Sequence, residues 1–305
     1  MATPSPRGSA YMKQLKTLLT ECKKKARRGE RCAIFTEVES AYKNHYKIPH
    51  YSFNTSDTLS ANIGIQIADI YDSAESLPQN VLVAAAYQKM IDEVMAQFEY
   101  LQQSKMALTV EPYFCNGEPY ASSAEMLLDL LDFHMYFLPT QSAFGESIPH
   151  ENHPMLEKTG MMVGDYELVV NDVFRIVHDI FGHASYGYSF GPIGEDMAWL
   201  VHSRMFSPLA RAAITTETRG QNSWVNWGPH MRNRDNQLIP ENDSAWLAPD
   251  QRPFAEQKIF LMPEYVSGVK VYLDDEQRVC AEEIIGWDPY ISFCKPKEAS
   301  RHVAV

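Results

Sequence analysis

The sequence predicts a mainly helical protein: a single helical domain with long loops and one small β-hairpin. Three observations lead to that class. Apolar residues recur at spacings of three and four through several long runs, as helices that bury one face require. Two long segments rich in Pro, Gly and polar residues keep aromatic and aliphatic side chains that need burial, so they read as loops packed on a core rather than as linkers. Alternation of apolar and polar residues, the mark of a strand, is concentrated near the C-terminus. With 305 residues, 45% of them hydrophobic, the chain is long enough to bury a substantial core.

In chain order, the first feature is a basic lead. Residues 1–31 carry nine Lys and Arg against two Glu, a charge of +7 that leaves −19 for the rest of a chain whose net charge is −12. An acidic body repels phosphate backbones, so nucleic acid is not an expected partner, and "CKKKARRGER" reads as a solvated helix face. A long helix follows in which Val83, Tyr87, Met90, Val94, Phe98 and Leu101 form one buried stripe. The stretch around it is broken by Gln88, Lys89, Asp92 and Glu93, so it is no membrane span. Next, "SSAEMLLDLLDFHMYF" predicts a helix capped by Ser122 or Ser123, with Met126, Leu127, Leu130 and Phe133 on one side and Pro139 as its stop.

The two long loops are "PTQSAFGESIPHENHPMLEKTG" and "WGPHMRNRDNQLIPENDSAWLAPDQRP"; loops of this length are expected to frame a pocket. Near the end, "GVKVYLDDEQRVCA" predicts two short strands around an Asp-Asp turn. The five cysteines are odd in number and scattered without a CxxC pair, which argues against a disulfide framework or a thiolate zinc site. The first residues lack the apolar core and cleavage site of a secretory signal, and a cytoplasmic location is the expectation.

The chemistry concentrates in "VNDVFRIVHDIFGHASYGYSFGP", residues 170–192. His178 and His183 stand five apart, which on an unbroken helix points them about 140° away from each other, too far round to serve one ion. A helix ending at Gly182 in a left-handed cap lets the chain turn so that both imidazoles face one cavity. Asp179 would then orient a ligand or a bound water. An isolated pair of histidines is more often one core and one surface residue. The run of His, acid, two apolar residues, Gly and His, followed by "SYGYSFGPIG", points instead to a site.

"VHDIFGH" resembles the H-[DE]-x-x-G-H motif of the aromatic amino acid hydroxylases, the non-haem iron, pterin-dependent enzymes. The resemblance runs weakly from about residue 165 to 270, where "AEQKIFLMPEYV" is of similar character. It implies an aromatic amino acid hydroxylase-like catalytic core, with residues 1–110 as a helical region and 111–305 as the iron-binding catalytic region of one continuous domain. It also implies Fe(II) held by His178 and His183 with a glutamate downstream. Glu217, 34 residues after His183, is the best placed acid, while Glu195 and Asp196 at a predicted helix start suit the helix dipole without a catalytic role. The family's substrate segment before the motif, with its Arg and Pro, has no counterpart in "GDYELVVNDVFRIV", so iron is better supported than tetrahydropterin or an aromatic amino acid substrate.

Two imidazoles and a carboxylate on one face leave three positions on Fe(II) for O₂ with a substrate or reductant. Tyr186, Tyr188, Trp224 and Trp227, with Gln221, Asn222 and Asn226, are candidate pocket residues, and Arg219 is a candidate to hold a substrate carboxylate. Two other readings stay open. An HD-type metal-dependent phosphohydrolase would use His178 and Asp179 with His150 or His153. A non-catalytic helical interaction protein would use the aromatics of "NSWVNWGP" as its partner surface.

Overall fold

A computed structural model describes residues 6–51, 58–104, 108–140 and 153–293. Helices take up 52% and strands 12%, as the mainly helical class requires. The long stripe is α4, Val81–Gln103, opened by Asn80, whose side-chain oxygen accepts from the backbone N–H groups of Leu82 and Val83. All six residues of the stripe are buried. Before it come α1 (Pro6–Ala26), α2 (Ala33–Tyr46) and α3 (Ala61–Ser73). Lys23, Lys24 and Lys25 of the basic lead fall in the last turn of α1, where they suit the negative end of its dipole.

The segment after α4 departs from expectation. Ser122 does cap a helix, α5, but that helix covers only Ser123–Leu130. Phe133 takes a positive φ of 61°, and His134–Phe137 is strand β2, paired in parallel with β1 at Thr109–Pro112. The physical reason is a change of period: beyond Leu131 the buried residues alternate, Met135 and Phe137, as a pleated strand demands. A second unanticipated pair, β3 (Lys158–Val163) and β4 (Tyr166–Val169), turns at Gly164 and leads directly into α6 (Val170–His178). The predicted C-terminal hairpin is present as β5 (Val269–Leu273) and β6 (Val279–Glu283).

After α6 come α7 (Pro192–Ser203), α8 (Pro208–Thr215), α9 (Gln221–Trp227) and the short α10 (Glu264–Ser267). Helix α4 packs along α8 and α6, and a continuous core runs from Cys22 and Phe35 through Met90 and Phe98 to Phe181 and Ile214. A smaller core joins α3 to Trp227, Phe260 and Met262. The second long loop, 227–253, is irregular as expected, with 3₁₀ turns at Pro229–Met231 and Pro249–Gln251. Cys22, Cys32, Cys115 and Cys280 are free thiols, and Cys294 lies outside the described residues. No helix among the described residues is long and apolar enough to cross a membrane.

Candidate metal centre

Helix α6 is fixed at its start by Asp172, a fully buried carboxylate. Its oxygens accept from the backbone N–H of Val169, the Tyr166 hydroxyl, and both the backbone N–H and hydroxyl of Thr140. At the other end α6 does not stop at Gly182. It widens into a π-helical turn over Asp179–Ala184, continued by the bond from the Ser185 N–H to the Ile180 carbonyl. Bonding from i to i+5 widens the turn beyond the 3.6 residues of an α-helix, so residues five apart come round closer to one face. The ring centroids of His178 and His183 lie 5.2 Å apart. The left-handed cap expected at Gly182 is not formed. Its glycine is favoured by close approach instead, because a Cβ there would stand 3.1 Å from the Ala198 Cβ, 3.2 Å from the Ala198 carbonyl and 3.3 Å from His178 Cε1, so that these neighbours would have to give by a few tenths of an ångström.

The carboxylate that meets the two histidines is Glu195, in the first turn of α7. Its Oε2 lies 3.3 Å from His183 Nε2 and 3.8 Å from His178 Nε2, and these three side chains form the one group among the described residues with metal-ligand character. Three donors each about 2 Å from a shared ion would lie at comparable mutual distances, so the set fits a cation. Electrostatics agree. Burial works against a charged imidazole at His183, yet the Glu195 carboxylate and the Tyr188 carbonyl raise its pKa to about 9. Burial likewise opposes the Glu195 anion, but the two histidines hold its carboxyl down to about 2. The nest favours positive charge facing a carboxylate.

Both imidazoles are anchored from behind. His183 Nδ1 lies 3.2 Å from the Tyr188 carbonyl oxygen, to which it donates. His178 Nδ1 lies 3.1 Å from Nδ1 of His202, whose Nε2 is 2.8 Å from Gln97 Oε1 on α4. Sequence reasoning missed His202 and Gln97. A signal existed for the first, since His202 follows Glu195 by seven residues, two helical turns along one face of α7.

The remaining predicted residues are elsewhere. Glu217 is not with the histidines: it sits in a second π-helical turn, Thr216–Gly220, where its oxygens accept from the Tyr87 hydroxyl at 2.5 Å and from Gln221 Nε2 at 2.9 Å. Glu217 follows Thr215 by two residues, about 200° round a helix, and so faces away from α7, which Thr215 itself touches through Trp199. Burial raises its pKa to about 7. Arg219 has no guanidinium edge to offer a substrate: Nε meets Asp196 at 2.9 Å, and the two terminal nitrogens donate to the carbonyls of Val266 and Pro289. Tyr186 donates to Glu39 and stacks on Tyr188, Trp224 donates to Asp72, and Asn226 donates to Asn222, so each is engaged in packing the scaffold. Asn222 in turn donates to the Pro192 carbonyl at the start of α7.

Asp179 stays beside the histidines, half-buried, and acts on both through its charge; burial raises its own pKa. It is not one of the three converging donors, as the phosphohydrolase reading needs. His153 is spent on the 3₁₀ turn that follows it, its Nδ1 accepting from the Met155 N–H, and His150 lies outside the described residues. Of the "NSWVNWGP" aromatics, Trp227 is buried against Gly64 and Trp224 is half-buried, its indole N–H donating to Asp72. No protein-family model, no curated protein and no solved structure matches this chain.

Proposed function

We propose that the chain is a non-haem Fe(II) monooxygenase that hydroxylates a small organic substrate, with His178, His183 and Glu195 as the facial set of metal ligands. The observation that carries this reading is the convergence of His178 Nε2, His183 Nε2 and Glu195 Oε2 within the same few ångströms. Two neutral nitrogens and one carboxylate, free of thiolate, are the donors that suit Fe(II) while leaving room for O₂ and a co-substrate. Bound there, Fe(II) would supply activation of O₂. An aromatic amino acid or a related compound, with tetrahydropterin as the two-electron donor, is the pairing that the motif resemblance implies. A cytoplasmic setting belongs to the same proposal and agrees with the buried free thiols of Cys22 and Cys32.

The chain's own residues have separate tasks in this scheme. Glu195 supplies the negative charge that favours oxidation of the metal, and the rings of Phe174 and Phe190 lie against His178 and His183. Asp179 adds a further negative charge behind the ligands. The test is anaerobic loading with Fe(II), followed by O₂ uptake with aromatic amino acids and with and without tetrahydropterin. The expected result is substrate-dependent uptake that Glu195→Ala abolishes. Protein that gains no bound iron and consumes no O₂ contradicts the proposal.

A further inference from the structure

We propose that Gln97 and His202 are positioning residues that fix His178 in its Nδ1–H tautomer and thereby aim the Nε2 lone pair at the ion; the consequence for metal binding rests on the reading above. All three side chains are buried, His202 and Gln97 completely. A carboxamide oxygen accepts and never donates, so the 2.8 Å contact between Gln97 Oε1 and His202 Nε2 requires the proton on that nitrogen. A neutral imidazole carries one proton, which leaves the His202 Nδ1 with a lone pair. The 3.1 Å contact between the two Nδ1 atoms then needs a hydrogen from the other side, from His178. With its proton committed there, His178 presents a bare Nε2 toward Glu195.

At His183 the anchor is shorter, since the Tyr188 carbonyl accepts directly from its Nδ1 while its Nε2 faces Glu195. Both ligands thus have Nδ1 tied from behind, one by a backbone carbonyl and the other through a chain of two side chains reaching to α4. Metal-bound histidines generally have their second nitrogen tied in this way.

The test begins with nitrogen NMR of the histidines in the metal-free protein, which distinguishes Nδ1–H from Nε2–H on each neutral ring. His178 is expected as Nδ1–H in the native chain and in Gln97→Glu, whose carboxylate also accepts. Gln97→Met should give His178 a mixture of tautomers and weaken anaerobic Fe(II) binding by about tenfold to a hundredfold, while Gln97→Glu restores it. Finding His178 as Nε2–H in the native protein overturns the proposal, and so does a folded Gln97→Met that binds Fe(II) as tightly as the native chain. The native tautomer decides the matter even where the Met variant does not fold. An Nδ1–H tautomer in a protein that binds no metal at all would leave the hydrogen-bond chain standing and remove the oxygenase reading alone.

Discussion

Gly182 and Ala198 bring the π-helical turn and α7 so close that a Cβ on the glycine would sit 3.1 Å from the alanine's Cβ and within 3.3 Å of His178. This approach sets the distance from Glu195 to the two histidines, because Ala198 and Glu195 lie one turn apart on α7.

Gly182→Val should therefore push α7 away from the turn. Overpacking of this kind costs about 1–3 kcal/mol. The loss of metal affinity should exceed what the loss of stability explains, since the carboxylate and the imidazoles separate directly. Metal titration and urea unfolding of the same variant check this. Unchanged affinity in a destabilised protein would show that the approach matters for folding only.

Arg219→Met should be destabilising by roughly 3–5 kcal/mol, the cost of leaving a buried charge without its partner. Arg219 and Asp196 are both fully buried, and the Tyr290 hydroxyl is the other group that donates to Asp196. Thermal unfolding measures the effect. If Arg219 instead held a substrate carboxylate, stability would be unchanged and substrate affinity alone would fall.

Glu217 gives the pH dependence. Its pKa is raised by burial from an ordinary 4.5 to about 7, so the folded state prefers the neutral carboxyl. The stability this group contributes is fully present below its unfolded pKa and declines as pH rises through 4.5 to about 7, after which it is level. The difference between native protein and Glu217→Gln should shift by roughly 3 kcal/mol against the native chain over that interval. Urea midpoints of both proteins at about pH 4.5 and about pH 8 measure it. A parallel pH profile in the two would mean that Glu217 titrates in the fold as it does in the unfolded chain.

The sequence made the helical class, the α4 stripe and the C-terminal hairpin legible because each depends on a period that burial enforces locally. The two histidines were legible for the same reason, as a motif within one turn. Their geometry was not, because a π-helical turn leaves no periodic trace over six residues. The placement of Glu195 rather than Glu217 beside the histidines turned on a related point. An acid in the first turn of a helix has a sufficient explanation in the dipole, and only the tertiary placement of α7 brings Glu195 to the two histidines. The strand β2 was hidden by continuous apolar composition, in which a helix running on from α5 and an alternating strand look alike until Met135 and Phe137 are found buried.

Co(II) titration of the native chain, Glu195→Gln and Glu217→Gln, followed by visible absorption, reads out whether one ion is held by His178, His183 and Glu195. One Co(II) should bind per chain, with a spectrum that Glu195→Gln removes or alters and Glu217→Gln leaves as it is. A spectrum that survives in Glu195→Gln and is lost in Glu217→Gln would contradict this and return the third ligand to position 217.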